Sequence, residues 1–142
     1  MQWTSTGPSA ARTESLTGNE EDGTVTLVVN RTGGSEGTVT VEYATGDGTA
    51  TAPADYQSTS GTLTFGPGVL TQNIAIPIVT DGMPEAAETF TVTLSGPTGG
   101  ATLATSTATV VITDTAVIPI PTLSTWALLA LALTLAFLAL RR

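Results

Sequence analysis

An all-β sandwich followed by one C-terminal membrane helix is the fold predicted for this chain, on three observations. Between Thr24 and Asp114 apolar residues recur at every second position, Gly/Pro clusters interrupt that alternation at short intervals, and at Val117 the composition turns abruptly into an uncharged Ala/Leu-rich run. Period two marks strands with one buried face, and regular turn punctuation between short strands marks a sandwich. The prevalence of Thr and Val agrees, because β-branched side chains suit a pleated, half-buried surface.

Taken in order, residues 1–17 (MQWTSTGPSAARTESLT) are polar and lack the apolar core of a secretory signal. They are expected to be a mobile N-terminal segment, with a short edge strand near Thr13–Thr17. The sandwich is expected over 18–116. Val25, Leu27 and Val29 share one face of a first strand, which turns at Thr32-Gly33-Gly34. Val39, Val41 and Tyr43 line a second, ended by Gly46-Asp47-Gly48, and Leu63 and Phe65 a third, stopped by Gly66-Pro67-Gly68. Ile74, Ile76 and Ile78 mark a fourth, with Pro77 on the opposite face, as an edge strand or bulge allows. Phe90, Val92 and Leu94 mark a fifth, ended by Gly96-Pro97, and Ala108, Val110 and Ile112 a sixth.

The last unit, 117–142, reads VIPIPTLSTW, then ALLALALTLAFLAL, then Arg141-Arg142. The uncharged stretch from Ile118 to Leu140 reaches the roughly 20 residues that a bilayer-spanning helix needs. Trp126 sits where an interfacial aromatic belongs, and the terminal arginine pair marks the cytoplasmic end. The sandwich is then expected outside the cytoplasmic membrane. The run is equally apolar on every face, which argues against a helix packed on the sandwich.

The 142 residues include 12 acidic and 4 basic side chains, for a formal net charge of −8. Every acid lies at or before Asp114, opposed there only by Arg12 and Arg31. So acidic a surface repels phosphate backbones and disfavours nucleic acid as a partner, and none is expected. Cys and His are both absent, which removes disulfides, thiolate or imidazole zinc sites, Cys nucleophiles and His-based triads. An enzyme is not expected: Glu85 and Glu88 are a conceivable glycosidase pair, but no aromatic sugar platform accompanies them. What remains is carboxylates at strand ends. Loops carrying such a set at one end of a sandwich repel one another unless a hard, oxygen-seeking cation neutralises them. A solvated acidic rim is the plainer alternative for any one of them. Asp47 reads as a turn residue, because Asp-Gly supplies turn geometry. The Asn30-Arg31-Thr32 sequon lies at a strand end and is discounted.

Several pieces, in order, resemble the Calx-beta domain family: Glu20-Glu21-Asp22-Gly23-Thr24-Val25, YATGDGTATAPADY, GTLTFGPG, TDGMPEAAETFTVTLSGP and TATVVITD. The resemblance implies an immunoglobulin-like antiparallel sandwich of about seven strands with calcium at one apex. Carried over by position, it implies Glu20, Asp55, Asp81, Glu85, Glu88 and Asp114 as ligands, with Met83 offering only its backbone carbonyl. Thr80-Asp81-Gly82 and Asp114-Thr115-Ala116 stand where strong binders carry aspartate runs, so one or two weakly held ions are expected. The tail resembles the C-terminal sorting signals of the IPTL type found in Gram-negative bacteria. Its carriers are Ile120, Pro121, Thr122, Leu123 and Trp126, then the apolar helix, then Arg141 and Arg142. That implies recognition by an exosortase-like membrane protease and delivery to the cell envelope. Since such tails close long modular surface proteins, a start missing upstream sequence is expected. The functional expectation is a calcium-stiffened surface or adhesion module. A metal-free spacer, or a carbohydrate- or protein-binding module on a plain membrane anchor, is the alternative; the residues name no surface ligand.

Overall fold

Alternating Thr and aliphatic residues leave each segment one apolar face, and two such faces closed on each other form the core. The computed structural model describes residues 2–4 and 14–114. Its strands are β1 (Gln2–Thr4), β2 (Glu14–Asn19), β3 (Thr24–Thr32), β4 (Val39–Gly46), β5 (Ser60–Phe65), β6 (Thr71–Pro77), β7 (Glu88–Ser95), β8 (Thr102–Leu103) and β9 (Thr107–Thr113). They form two sheets, one ordered β6-β3-β1-β8 and the other β2-β9-β7-β4-β5.

All six strands expected from periodicity are present, and their alternating residues make the core. Val29, Val41, Phe65, Ile76, Phe90, Val92 and Val110 are fully buried between the sheets. Each such side chain contributes about 1.5–3 kcal/mol by leaving water. Pro77 ends β6, an edge strand, where a missing N–H costs no ladder bond. The edge strand expected near Thr13–Thr17 is β2, which lies at the margin of the five-stranded sheet.

Three features depart from the expectation. Gln2–Thr4, within the segment read as mobile, pairs with Asn30–Thr32 of β3 and with β8. Strands of three and two residues are too short to show a period. The sandwich is also not wholly antiparallel, because β1 runs parallel to β3 and β2 parallel to β9. Strand direction is set by how the chain crosses between sheets, which side-chain alternation does not encode. Finally, β2 begins at Glu14, ahead of the expected boundary at residue 18. Among the described residues no helix is long and apolar enough to cross a membrane. The helix expected near 122–140, and with it the sorting motif, lies outside the described residues.

The β2–β3 link, the β4–β5 loop, the β6–β7 loop and the exit of β9 gather at the same end, and they carry every carboxylate of the expected ligand set except Glu88, which opens β7 at that end.

Candidate metal centre

Period two itself carries some of these carboxylates to the mouth of the core. The inward row of β7 runs Leu94, Val92, Phe90 and reaches Glu88; that of β9 runs Ala108, Val110, Ile112 and continues to Asp114. Glu88 and Ile112 face each other in register, so the two acidic ends are neighbours.

Glu20 opens a single 3-10 turn, Glu20–Asp22, capped by the Asn19 side chain, which accepts from the Glu21 N–H at 3.0 Å. Gly23, at φ 66°, takes the left-handed conformation that returns the chain into β3. The Glu20 carbonyl accepts the Thr80 hydroxyl at 2.6 Å, which ties this turn to the β6–β7 loop. The Glu20 side chain is 5% exposed. Burial first, and then the charges of Asp114, Glu85, Asp81 and Asp55, push its carboxyl above the usual carboxylate range.

Asp55 stands beside the start of the β6–β7 loop because Tyr56 bridges to Ile78 and the Asp55 carbonyl accepts from the Val79 N–H at 3.0 Å. Its Oδ2 accepts the Thr51 N–H at 2.6 Å. In the β6–β7 loop, Asp81 Oδ1 accepts the Met83 N–H at 2.7 Å, closing a turn at Gly82 (φ 73°). The Met83 side chain is 64% exposed. The Glu85 N–H donates to Asp114 Oδ2 at 3.0 Å, which joins this loop to the end of β9.

One carboxylate oxygen each from Asp55, Glu85 and Glu88 lies within 4.8 Å of the others. Burial first, then the charges of Asp55 and Glu85 and a side-chain hydrogen bond with Asp55, push the Glu88 carboxyl above the usual carboxylate range. Of the seven expected ligand positions, these three are brought into one constellation; Asp114 and Asp81, with Glu85 and Asp55, lie close enough for their charges to act on Glu20. The donor set fits calcium. Two oxygens bound to one calcium at about 2.3–2.6 Å stand up to about 5 Å apart, and all-carboxylate oxygen donors select a hard cation.

Two residues missed by the sequence reading hold this end together. Asp47, expected only to make a turn, accepts the Tyr56 hydroxyl at 2.6 Å and the Ala52 N–H at 3.1 Å. These bonds hold its carboxyl below the usual range. Tyr56, which lies outside the strands expected from the sequence, is 1% exposed and stacked on Phe90 at 4.1 Å between ring centroids. Burial, with the Asp47 bond and charge, pushes its hydroxyl up to about 12.

Residues 9–116 match the model of the Calx-beta domain, and residues 118–142 match that of the IPTL-CTERM motif. Sodium/calcium exchanger 1 of Canis lupus familiaris is 44% identical over 77 residues, which are 54% of this chain and 8% of the exchanger. Among solved structures, calcium binding domain CBD12 of CALX1.1 superposes with a TM-score of 0.69 at 36% identity, over 72% of this chain and 42% of that one. The apo form of the Calx CBD1 domain gives 0.65 at 34% identity, over 70% and 89%. This chain thus spans a small part of the exchanger it resembles.

Proposed function

The chain belongs to the Calx-beta domain family, and on that premise we propose that its acidic end binds calcium as a structural or adhesion module of a bacterial envelope protein. The convergence of Asp55, Glu85 and Glu88 on one point carries this reading, supported by the solved relative described as a calcium binding domain. Asp55, Glu85 and Glu88 would hold the ion, with Glu20, Asp81, Asp114 and the Met83 carbonyl available to complete one or two weak sites. A bound divalent cation supplies positive charge that cancels the repulsion among these loops. The chain's own part is to hold the loops close enough to share it. Binding to the folded state alone then stiffens the module.

Calorimetric melting of the full chain in 5 mM calcium against EDTA tests this. For a site of about 10⁻⁴ M affinity, the calcium sample is expected to gain about 2 kcal/mol. Superimposable transitions would leave a metal-free spacer.

The tail supports delivery by sorting: Ile120-Pro121-Thr122-Leu123, Trp126, the apolar run and Arg141-Arg142 all lie within residues 118–142, which match the IPTL-CTERM motif. In this reading a membrane helix holds the arginines in the cytoplasm and the sandwich outside, until an exosortase-like protease acts. Expressed behind a signal sequence in a host with that protease, the protein should lose its tail, and replacing Pro121 and Thr122 should block the loss without affecting membrane insertion. A mature protein whose intact mass retains Arg142 would leave a plain membrane anchor.

A second reading has one observation in its favour. An open groove of about 350 Å³ over β4 and β5, lined by Glu42, Tyr43, Ser60, Thr62 and Ser95, offers hydroxyls and a carboxylate to a sugar-like ligand.

A further inference from the structure

We infer that Asp47 is a positioning residue for calcium binding: it holds the 47–56 loop in the shape that sets Asp55 opposite Glu88. The inference rests on the calcium reading above. Asp47 itself is exposed and is not one of the three clustered carboxylates.

The connection is continuous. Asp47 Oδ1, at the start of the loop, takes two hydrogen bonds, from the Ala52 N–H midway along it and from the Tyr56 hydroxyl at its far end. Inside that bracket lies a second, smaller one. The Asp55 N–H donates to the Thr51 carbonyl at 2.9 Å, while Asp55 Oδ2 accepts from the Thr51 N–H at 2.6 Å and hydroxyl at 3.3 Å. Ala52 is the residue after Thr51 and Tyr56 the residue after Asp55, so the Asp47 oxygen fixes both neighbours of the inner bracket.

The same loop grips the strand that carries Glu88. The Ala50 N–H donates to the Thr89 carbonyl at 2.9 Å, and the Thr89 N–H donates to Thr49 Oγ1 at 2.7 Å. A Cβ on Gly48 would collide with the Thr89 carbonyl, so the loop lies flush on β7 only because residue 48 has none. Tyr56, stacked on Phe90, anchors the far end in the core. The distance from Asp55 to Glu88 is therefore set by a loop clamped to β7 at Thr89 and Phe90, and Asp47 joins the two clamps. Freed from Asp47, the Tyr56 hydroxyl would be buried with a lost partner and residues 51–55 would have only local bonds to hold them.

Asn at position 47 keeps an Oδ1 that can accept both hydrogen bonds but has no charge, whereas Ala keeps neither. Titration calorimetry of calcium into the full chain separates the possibilities. Asp47→Ala should weaken binding about tenfold, the low end of what removing a group that orients a metal ligand costs. Asp47→Asn should stay within about twofold of the original, and Tyr56→Phe, which keeps the stacked ring, should lose about threefold. In an Asp55→Asn background, Asp47→Ala should add nothing, because the ligand it orients is already impaired. Melting each variant in EDTA reports folding separately, and should Asp47→Ala fail to fold, Tyr56→Phe carries the test. An Asp47→Asn chain as weak as Asp47→Ala, or an undiminished Asp47→Ala loss beside Asp55→Asn, would make Asp47 a charge acting on the ion directly and overturn the inference. Unchanged affinity in both Asp47→Ala and Tyr56→Phe would also overturn it. An original chain that takes up no calcium removes the calcium reading itself.

Discussion

Where β3 turns into β4, loops are stitched by hydrogen bonds to backbone carbonyls around a buried arginine; where β4 turns into β5, at the other end of the same sandwich, they meet as carboxylates. At the first end, Arg31 Nη1 donates to the Gly37 carbonyl at 3.0 Å and Nη2 to the Glu36 carbonyl at 2.5 Å. The Gly68 N–H reaches the Ser35 carbonyl at 2.8 Å, and the Thr98 N–H reaches the Thr40 carbonyl at 2.9 Å. That end is complete as built, apart from Arg31 Nε, which is buried without a partner among the described residues. At the second end, burial first and then the charges of neighbouring carboxylates hold Glu20 and Glu88 above their ordinary range. The chain satisfies its loops with its own groups at one end and gathers carboxylates at the other. The difference predicts that stability changes at the two ends are separable.

The largest effect is expected from Arg31→Met. It removes two charge-assisted hydrogen bonds and leaves two carbonyls to find water, at a cost of about 2–3 kcal/mol. Urea unfolding with and without calcium should show that loss with the calcium increment unchanged. A shrunken increment would mean that the ends are coupled through the sheets.

A smaller and more local effect separates the acidic loops. Residue type and position rank Asp81 and Glu85 together as the carboxylates that matter most. The structure sets Glu85 with Asp55 and Glu88, while Asp81 is turned to the Met83 N–H. Glu85→Gln should therefore weaken calcium binding about tenfold. Asp81→Asn, which keeps an oxygen for Met83, should cost clearly less. Equal losses in titration calorimetry would restore the joint ranking.

The smallest effect is a pH dependence with opposite signs in the two metal states. Glu20 and Glu88 bind protons more tightly folded than unfolded, whose ordinary value is 4.5. Their contribution to stability is present below that value and is lost as pH rises through the folded values. In EDTA the melting temperature should rise as pH falls from 7 toward 4.5. In calcium it should fall over the same range, because protons displace the ion. Asp47, held low, contributes in the other direction only below its ordinary 3.8, outside this window. Parallel slopes in both media would mean that the raised carboxylates do not take up the ion.

Much of both ends was legible beforehand, and one sign was passed over. Val25, Leu27 and Val29 predict a buried face on β3, and the next residue on that face is Arg31, which is indeed 4% exposed. The alternation contained the burial, but an arginine at a strand end is ordinarily taken as solvated. Asp47 was legible as a turn and not as a clamp, because its main partner lies nine residues away on a side chain whose burial only packing reveals.

By itself, the sequence determined the all-β class, the six long strands, their buried faces and the end at which the acidic residues collect. All of these follow from period two and turn chemistry, which are local and repeat along the chain. The tertiary structure alone decided the parallel insertion of β1 and β2, the convergence of Asp55, Glu85 and Glu88, and the hydrogen bonds that Asp47 accepts from Tyr56 and Ala52. These depend on distances between loops that are far apart in sequence, set by how the two sheets stack and where the core admits Tyr56. A residue's own neighbours in the chain carry no record of that.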